Sequence, residues 1–369
     1  MSSIWTKGLK FSIFGESHGL AIGVVIDNLP AGLEINFEKI KQFMQRRAPS
    51  ILKCGSSNRC ENDNFKILSG IFNNKTCGSP LCAVILNESA NSGIYKKFEN
   101  ILRPGHADYS AKIRYGGFNN FLGSGHLSGR LTASLVFIGA ICEQLLNLKK
   151  IKSFAHILSI NEIYDNSLLN ENFDKLNLDI VKKSSITVLN KKIILKIKNK
   201  IKQCKENGDS LGGIVECGVF GVPAGIGSPI FDGIENYVAD LIFAIPAVKG
   251  IEFGNGFNST KMTGWENNDE FILENETIKT KTNHHGGILG GISSGMPIIF
   301  RVAFKPTPTI SRKQNTIDLN KMTKLQYCFQ GQHDNCIVLR AVPVVEAVAN
   351  IAIVSQFLNQ GKFKLENCN

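Results

Sequence analysis

Residues 17–32, SHGLAIGVVIDNLPAG, recur in altered form as residues 210–225, SLGGIVECGVFGVPAG. The two segments share Ser, Gly and Pro-Ala-Gly at one constant offset, with no gap between them. In each, β-branched residues run into a Pro-Ala-Gly sequence, which predicts a strand that ends in a tight turn.

Two further pairs of segments repeat in the same order. LSGIFNNKTCGSPL from Leu68 parallels LGGISSGMPI from Leu289, and the apolar segments that begin at Arg130 and Arg340 form a weaker third pair. Three matches in one order predict a chain built from two similar halves.

The predicted helices indicate how these halves are layered. An amphipathic helix is expected after each Pro-Ala-Gly turn, at 36–47 and 231–245, and each half closes with a helix that is apolar nearly all round. A helix of the second kind must be covered on every side. We therefore predict an α+β fold, a β-α-β sandwich with a central helical layer between antiparallel sheets and an approximate two-fold relating the halves.

The chain is expected to form one domain, residues 1–369. Its halves cover about 1–145 and 208–369, and a Lys/Asn-rich connector, 146–207, joins them. Within the connector, VLNKKIILKIKNKIK (188–202) is interpreted as a solvated strand face or a simple linker.

Composition limits the possible environments and partners. With 369 residues and 43% hydrophobic content the chain can bury a large core, and it contains neither an 18-residue apolar run nor a secretory signal. Its ten cysteines lack C-x-x-C spacing, so free thiols are expected rather than a zinc site or any other metal site. These features predict a soluble, cytoplasmic protein with no membrane partner.

The net charge of +11 favours an anionic partner. Neither Arg/aromatic interleaving nor a helix-turn-helix pattern accompanies it, so nucleic acid is not expected to be that partner. A small molecule with phosphates and carboxylates fits the charge better.

Polar residues cluster in turns that packing alone does not require. RPGHAD, residues 103–108, holds His106 between Arg103 and Asp108, with Pro104 and Gly105 marking an ordered turn. Five other clusters share this character: FGESHG (14–19), RRAPS (46–50) with Lys53, GSGHLSGR (123–130), KPTPT (305–309) and GQHDNCIVLR (331–340).

Each cluster alone also has a purely structural interpretation. His18 can be a capping residue, Arg47 can offset a helix dipole, and Asp334 with Arg340 can be a plain ion pair. Together the clusters combine many cations with few histidines and very few carboxylates, which suits binding a polyanion and moving protons. No G-x-S-x-G nucleophile elbow is present, so peptide hydrolysis is not indicated.

The motifs together resemble one known family from about residue 7 to 358. FGESHG, RPGHADY, GRLTAS, IPAVKGIEFG, GGILGGISSG, KPT and HDNCIVLRAVPVVEA occur in the order found in chorismate synthases. The resemblance implies a carbon-oxygen lyase acting on phosphate. Such an enzyme converts 5-enolpyruvylshikimate 3-phosphate to chorismate by 1,4-anti elimination of phosphate and a C6 hydrogen, with reduced FMN. It also implies a homotetramer.

The resemblance further implies roles for individual residues. His18 would protonate the departing phosphate, His106 would hold a proton near the reduced flavin, and Asp334 would act with flavin N5 in removing the C6 hydrogen. The anionic substrate would be bound by Arg47, Lys53, Arg130 and Arg340, with Arg103 in support.

The same resemblance implies an FMN site. Its residues would be His126, Leu127, Ser128, Gly290, Lys305, Pro306, Thr307, Pro308, Thr309 and Gln332. This chain departs from the commoner pattern, since many members have Arg in place of His126, Gln332 and Lys53. His126 can still donate a hydrogen bond, whereas Gln332 carries no charge.

Two other readings of the sequence stay open at this level. One is a flavin-binding or flavin-reducing protein without the elimination activity, and the other is a basic RNA-binding or scaffolding protein that uses the connector. The sequence also leaves open whether the chain reduces its own FMN with NADPH.

Overall fold

The computed structural model describes residues 3–48, 63–88, 93–171, 177–329 and 334–363. In the first half the strands are β1 (Ile4–Trp5), β2 (Lys10–Gly15), β3 (Ala21–Asp27), β4 (Phe65–Ser69), β5 (Ile71–Phe72), β6 (Lys75–Thr76) and β7 (Leu81–Leu86). The helices there are α1 (Phe37–Arg47), α2 (Gly93–Lys96), α3 (Asp108–Arg114) and α4 (Thr132–Leu148), preceded by the 3-10 segments Leu122–Leu127 and Gly129–Leu131.

The rest of the chain follows a related order. Its strands are β8 (Lys152–Ile160), β9 (Ile163–Tyr164), β10 (Gly213–Phe220), β11 (Val248–Phe253), β12 (Phe271–Glu274), β13 (Thr277–Thr280), β14 (Ile288–Leu289), β15 (Ile292–Ser293), β16 (Ile298–Phe304), β17 (Gln314–Asp318) and β18 (Thr323–Tyr327). Its helices are α5 (Leu178–Lys182), α6 (Ile194–Glu206), α7 (Ile234–Phe243), α8 (Gly264–Asn267) and α9 (Val338–Asn359).

Two five-stranded antiparallel sheets form the outer layers. The first has the order β1-β2-β3-β7-β4 and the second β11-β16-β10-β8-β9. The repeated segments supply the third strand of each, since β3 pairs with β7 in the first sheet and β10 pairs with β16 in the second.

The two helices that are apolar all round form the middle of the molecule. α4 packs along α9, while β3 contacts α4 and both β8 and β10 contact α9. At Gly139 the helices approach so closely that a Cβ there would lie 2.3 Å from the Cβ of Ala347. The predicted α+β sandwich, with helices between antiparallel sheets, is confirmed.

The Pro-Ala-Gly turns of the two halves are held by equivalent hydrogen bonds. In the first, the Thr76 hydroxyl donates to Pro30 O at 2.6 Å and accepts from Leu33 N at 2.9 Å. In the second, the Ser293 hydroxyl donates to Pro223 O at 2.6 Å and accepts from Ile226 N at 2.9 Å. The repeat seen in the sequence is therefore also a repeat of contacts.

The connector is more than a linker. It contributes β8, whose residues after Lys152 are buried at the interior of the second sheet. The expected strand face at 188–202 is wrong, because this stretch runs into α6. Ile197, Ile201 and Cys204 recur at helical spacing and bury one face of α6, while the lysines remain on the other.

Among the described residues, two helical segments could cross a membrane if judged by length and composition alone. They are Gly129–Leu148 and Val338–Asn359. Within the protein, 83% and 94% of their most apolar windows are buried. Both belong to the central layer described above, where neighbouring helices and sheets cover them.

Candidate active site

A cavity of about 920 Å³ lies where the two halves meet. The first half contributes the end of α1, the 103–107 turn and the segment that leads into α4, while the second contributes the loop after β16 and the start of α9. The predicted site residues that line it are Arg47, Arg103, His106, His126, Leu127, Ser128, Arg130, Lys305, Thr307, Pro308, Asp334 and Arg340. Sequence clusters far apart in the chain thus share one wall.

The RPGHAD segment forms a tight turn. His106 N donates to Arg103 O at 3.2 Å, and Gly105 has a φ of +72°, the geometry of a type II turn with Pro and Gly at its centre. The turn packs on the KPTPT loop, where Lys305 Nζ donates to Gly105 O at 2.5 Å and a Cβ on Gly105 would lie 2.7 Å from Pro308 Cβ. This contact brings two predicted clusters together.

The charged residues of this turn have different partners from the histidine. Asp108 accepts from Arg103 Nε at 2.8 Å and from Arg103 Nη2 at 2.6 Å, and Arg103 Nη2 also donates to Ser124 Oγ at 3.0 Å. The ring of His106 bonds through Nε2 to Thr309 Oγ1 at 2.5 Å. These hydrogen bonds orient Arg103 against Asp108 and the ring of His106 against Thr309.

His18 lies behind the cavity wall. It is not among the lining residues, but its ring stands edge-on to Tyr95, with centroids 4.9 Å apart, and Tyr95 lines the cavity. A Cβ on Gly123, another lining residue, would lie 2.1 Å from His18 Cδ2 and 2.5 Å from Nε2. The imidazole edge that carries Nε2 therefore faces the 123–125 turn.

Arg47 and Arg130 share one buried carboxylate, Asp63. Asp63 Oδ2 accepts from Arg47 Nε at 3.0 Å and Nη2 at 2.5 Å, while Oδ1 accepts from Arg130 Nη1. Burial would raise the pKa of Asp63, but the charges and hydrogen bonds of Arg47 and Arg130 outweigh it and hold that pKa below its usual value. Asp63 is therefore ionised at neutral pH.

Arg340 connects the start of α9 with the end of α1. Its Nη1 donates to Asp334 Oδ2 at 2.7 Å, and its Nε donates to the main-chain oxygen of Arg47 at 3.0 Å. Burial, followed by the charges of Arg340 and Arg130, lowers the pKa of Arg47 to about 10 even with Asp63 beside it. The side chain remains a cation at neutral pH, in a neighbourhood rich in positive charge.

His126 lines the cavity, but both of its ring nitrogens have protein partners. Nδ1 lies 2.7 Å from Gly15 O and Nε2 lies 2.7 Å from Ser3 Oγ. With Nδ1 as the donor to Gly15, Nε2 accepts from the serine hydroxyl. The expectation that His126 donates a hydrogen bond to a cofactor is therefore not met by this arrangement, in which its N–H serves the β2 strand.

Several predicted flavin contacts do not line the cavity. Thr309 is buried behind it against His106, and Pro306 is exposed beside Gly212. Gly290 is exposed in the β14–β15 turn, which packs against the second Pro-Ala-Gly turn through a Gly227–Ile292 bridge. Lys53 and Gln332 lie outside the described residues.

Sequence reasoning missed Asp63 and Tyr95. Asp63 stands in the polar stretch CENDN, where its spacing matches no motif, and only folding brings it to two arginines. Tyr95 looks like an ordinary aromatic of a short helix. Unpaired buried charges are unfavourable, so buried arginines need a counter-ion, but no sequence motif indicated that Asp63 supplies it.

A second cavity, of about 1220 Å³, lies on the other side of α1 and α9. Arg46 and Lys182 on its wall are paired with the buried Glu346, at 2.8 and 2.6 Å. Among the described residues, none of those predicted for catalysis, substrate or cofactor lines it, so the first cavity is the candidate active site.

Comparisons with known proteins agree on one family. The sequence profile described as chorismate synthase matches residues 9–358. A chorismate synthase from Dehalococcoides mccartyi strain 195 is 42% identical over 362 residues, covering 98% of both chains. One from Thermococcus kodakarensis is 39% identical over 354 residues, covering 96% of this chain and 97% of its own. A solved structure described as "Crystal Structure of Chorismate Synthase" has a TM-score of 0.75 and 28% identity, covering 95% of this chain and 92% of that one.

Proposed function

The chain belongs to the chorismate synthase family, and from that premise we propose how its cavity carries out the reaction. The activity is a lyase reaction of aromatic amino acid biosynthesis, in which 5-enolpyruvylshikimate 3-phosphate loses phosphate and a C6 hydrogen and becomes chorismate. One observation carries the assignment of the site. Arginines from both halves converge on one cavity of about 920 Å³, together with His106 and Asp334.

The substrate is held by the arginines. It brings two carboxylates and a phosphate, and guanidinium groups match the oxygen pairs of both. Arg47, Arg130 and Arg340 supply this charge from neighbouring parts of the wall, and Arg103 supports them from the 103–107 turn. Lys53 is proposed as a further cation on the same substrate, from the family pattern alone.

The family implies a flavin, and we propose that it is reduced FMN bound beside the Lys305–Thr309 loop. Thr307 supports this fit, because its hydroxyl is buried at the cavity with no hydrogen-bond partner among the described protein atoms. Leu127, Ser128 and Pro308 line the cavity too. The family pattern alone adds His126, Gly290, Pro306 and Gln332 to the proposed set. When bound, reduced FMN supplies the electron density that helps phosphate leave, and the overall reaction is redox-neutral.

The two histidines move or hold protons at different places. His106 is fixed through Nε2 by Thr309, within the loop that would hold the flavin, so it would supply or hold a proton beside the reduced cofactor. We propose that His18, whose ring lies against Gly123 of the cavity wall, donates the proton that the departing phosphate takes up.

Asp334 acts on the C6 hydrogen. Its carboxylate lines the cavity and is oriented by Arg340 at 2.7 Å. This pairing fixes one carboxylate oxygen against the guanidinium, and with reduced FMN in place the carboxylate would assist removal of the C6 hydrogen. The arginine thereby has two roles, one on the substrate and one on Asp334.

The experiment is an anaerobic assay with chemically reduced FMN and 5-enolpyruvylshikimate 3-phosphate. Equal amounts of phosphate and chorismate are expected, and no product without the flavin. Flavin binding without phosphate release would instead favour a flavoprotein lacking the elimination. Repeating the assay with oxidised FMN and NADPH tests whether the chain reduces its own cofactor.

We also propose that the protein works as a homotetramer in the cytoplasm. Large apolar side chains are exposed along β12 and β13 and next to them, including Phe271, Leu273, Ile278 and Trp265, which are 69–89% exposed. Their burial between copies would remove apolar area from water. Sedimentation of the purified protein tests the state, and a monomer at micromolar concentration would contradict it.

A further inference from the structure

We propose that Asp63 is a positioning residue that presets Arg47 and Arg130 as a pair for the anionic substrate. The inference rests on the proposed function, because it takes those two arginines as substrate-binding residues. Asp63 itself does not line the cavity, whereas both arginines do. Its effect on the substrate therefore passes through them.

The contacts give each oxygen of Asp63 its own arginine. Oδ2 takes two donors of Arg47, and Oδ1 takes Arg130 Nη1. One rigid carboxylate thus sets both the spacing and the tilt of two guanidinium planes. Arg130 is further held by Asn87 Oδ1 at 3.1 Å and Leu86 O at 3.2 Å, so its orientation is fixed from two sides.

Asp63 also joins three separate elements. Arg47 ends α1, Arg130 belongs to the 3-10 segment before α4, and Asp63 lies just before β4. All three side chains are buried, with 2, 9 and 3% of the residues exposed, respectively. A buried carboxylate that links three elements can hold their cations in place before any ligand arrives.

The charges explain why such a residue is needed. Arg47 is close enough to Arg130 and Arg340 for the charges of both to lower its pKa, and Asp63 opposes this effect. Without Asp63, two buried guanidinium groups would repel each other with no shared counter-ion. The two guanidinium groups would turn away from each other, and the substrate would have to bring them back together when it binds.

A second possible role for the two arginines can be distinguished by measuring anion binding. If the arginines acted merely as loose positive charges, removing the negative charge of Asp63 would strengthen anion binding. If they act as a preset pair, the same change weakens it. The sign of the change in affinity therefore decides between the two.

The main variant is Asp63→Asn, which keeps the shape and suits the left-handed φ of 50° at this position. We expect the KM for 5-enolpyruvylshikimate 3-phosphate to rise about tenfold or more, with kcat changed less than threefold. Binding of the same compound to the enzyme loaded with oxidised FMN, which does not turn over, is expected to weaken by a similar factor. Asp63→Glu keeps the charge and is expected to show a smaller change.

A second variant separates positioning from folding. Asp63→Gly also tolerates the positive φ and leaves space for a small carboxylate. Added formate is expected to lower its KM in a saturable way, while leaving the KM of the unchanged enzyme as it was. Glu252→Gln is the matched control, because it removes a carboxylate from Arg301, 3.2 Å away on the second sheet. Glu252→Gln should change neither KM nor kcat.

The possible results distinguish failure of the Asp63 proposal from failure of the proposed function. Unchanged or tighter binding by Asp63→Asn would overturn the proposal, and so would a folded Asp63→Gly that formate does not rescue. If the unaltered enzyme binds the compound but releases no chorismate with reduced FMN, the proposed function fails. In that case the binding measurement still decides the role of Asp63.

Discussion

Each arginine at the cavity has a carboxylate that orients it. Arg103 is paired with Asp108, Arg340 with Asp334, and Arg47 shares Asp63 with Arg130. Paired in this way, the guanidinium groups tolerate burial and keep a defined direction. Specificity at the residue scale thus depends in part on Asp63 and Asp108, two acids that do not line the cavity.

The first prediction at this scale concerns the two histidines. His18→Ala and His106→Ala should each lower kcat by about 10²-fold, because a positioned general acid or base commonly contributes 10² to 10⁴. FMN binding, measured by fluorescence quenching, should persist in both. His284→Ala, in the segment after β13, is a control that should retain the kcat of the unaltered enzyme. Near-normal turnover would remove the altered histidine from the mechanism.

The second prediction concerns Gly123, whose φ is +58°. Gly123→Ala adds backbone strain and puts a methyl group onto the imidazole of His18, so kcat should fall at least tenfold through displacement of that ring. Gly117→Ala is the matched control, since its φ is +84° and nothing lies within 4 Å of the added Cβ. Equal losses of activity in both variants would assign the effect to strain alone.

At the scale of secondary-structure elements, the repeated turns join each strand to its helix. The hydroxyl of Thr76 or Ser293 replaces the backbone partners that the Pro-Ala-Gly sequence lacks. Both side chains are buried, and so are the main-chain N–H groups of Leu33 and Ile226 that donate to them. These hydrogen bonds hold α1 and α7 in equivalent places.

Removal of either hydroxyl group should therefore destabilise the protein. Thr76→Val and Ser293→Ala each leave a buried N–H without an acceptor and remove the donor to a proline carbonyl, and we expect a loss of about 1–3 kcal/mol in the free energy of unfolding. Urea denaturation measures it. Thr260→Val, which removes an exposed hydroxyl bonded to Phe257 O, should change stability by less than about 0.5 kcal/mol. A loss in only one half would argue against equivalence of the turns.

The second sheet carries a buried charge network that makes its stability depend on pH. His156 on β8 lies between Asp165 at 3.1 Å and Glu216 at 3.0 Å, and Glu216 also pairs with Arg301. Burial alone would lower the pKa of His156, but hydrogen bonds to Asp165 and Glu216 and their charges outweigh it and raise that pKa. Protonated His156 therefore contributes its full stabilisation below about pH 6.5, its ordinary pKa in the unfolded chain. This stabilisation is lost as the pH rises through the higher pKa of His156 in the folded protein.

His156→Gln should consequently destabilise the protein more at pH 6 than at pH 9, as measured by thermal unfolding at both values. Ile157→Val, on the same strand, serves as the control because its loss of packing does not depend on protonation. A difference that grows with pH would contradict a protonated His156.

At the scale of the whole molecule, the two halves share one core. Residues of both belong to a single buried apolar cluster, and α4 and α9 cover each other. The cavity needs both as well, because Arg47 and Arg130 come from one half and Lys305, Asp334 and Arg340 from the other. Folding and function therefore depend on the same interface.

The halves should not fold separately. A fragment of residues 1–148 exposes the face of α4 that α9 covers, so we expect no cooperative unfolding transition for it by circular dichroism. Co-expression with residues 149–369 should restore a soluble complex. A cooperative transition in the isolated fragment would show that each half is an independent domain.

Much of this molecule follows from local sequence. The repeated segments, the Pro-Ala-Gly turns and the two apolar helices determined the sandwich, because strand alternation and apolar faces depend on neighbours within a few residues. The sequence motifs also identified most of the charged residues on the cavity wall, since turns with Gly and Pro present polar groups in predictable ways. The α6 helix was misjudged because its three buried apolar residues are separated by lysines.

Tertiary structure alone decided which charges meet. Asp63 and Arg130 are 67 positions apart, and Arg46 and Glu346 are 300 apart, so no local pattern relates them. It also turned His126 towards Gly15 and Ser3 and left Gly290 outside the cavity. Side-chain composition specifies that buried cations need anions, but only the packing of the layers selects which anion is within reach.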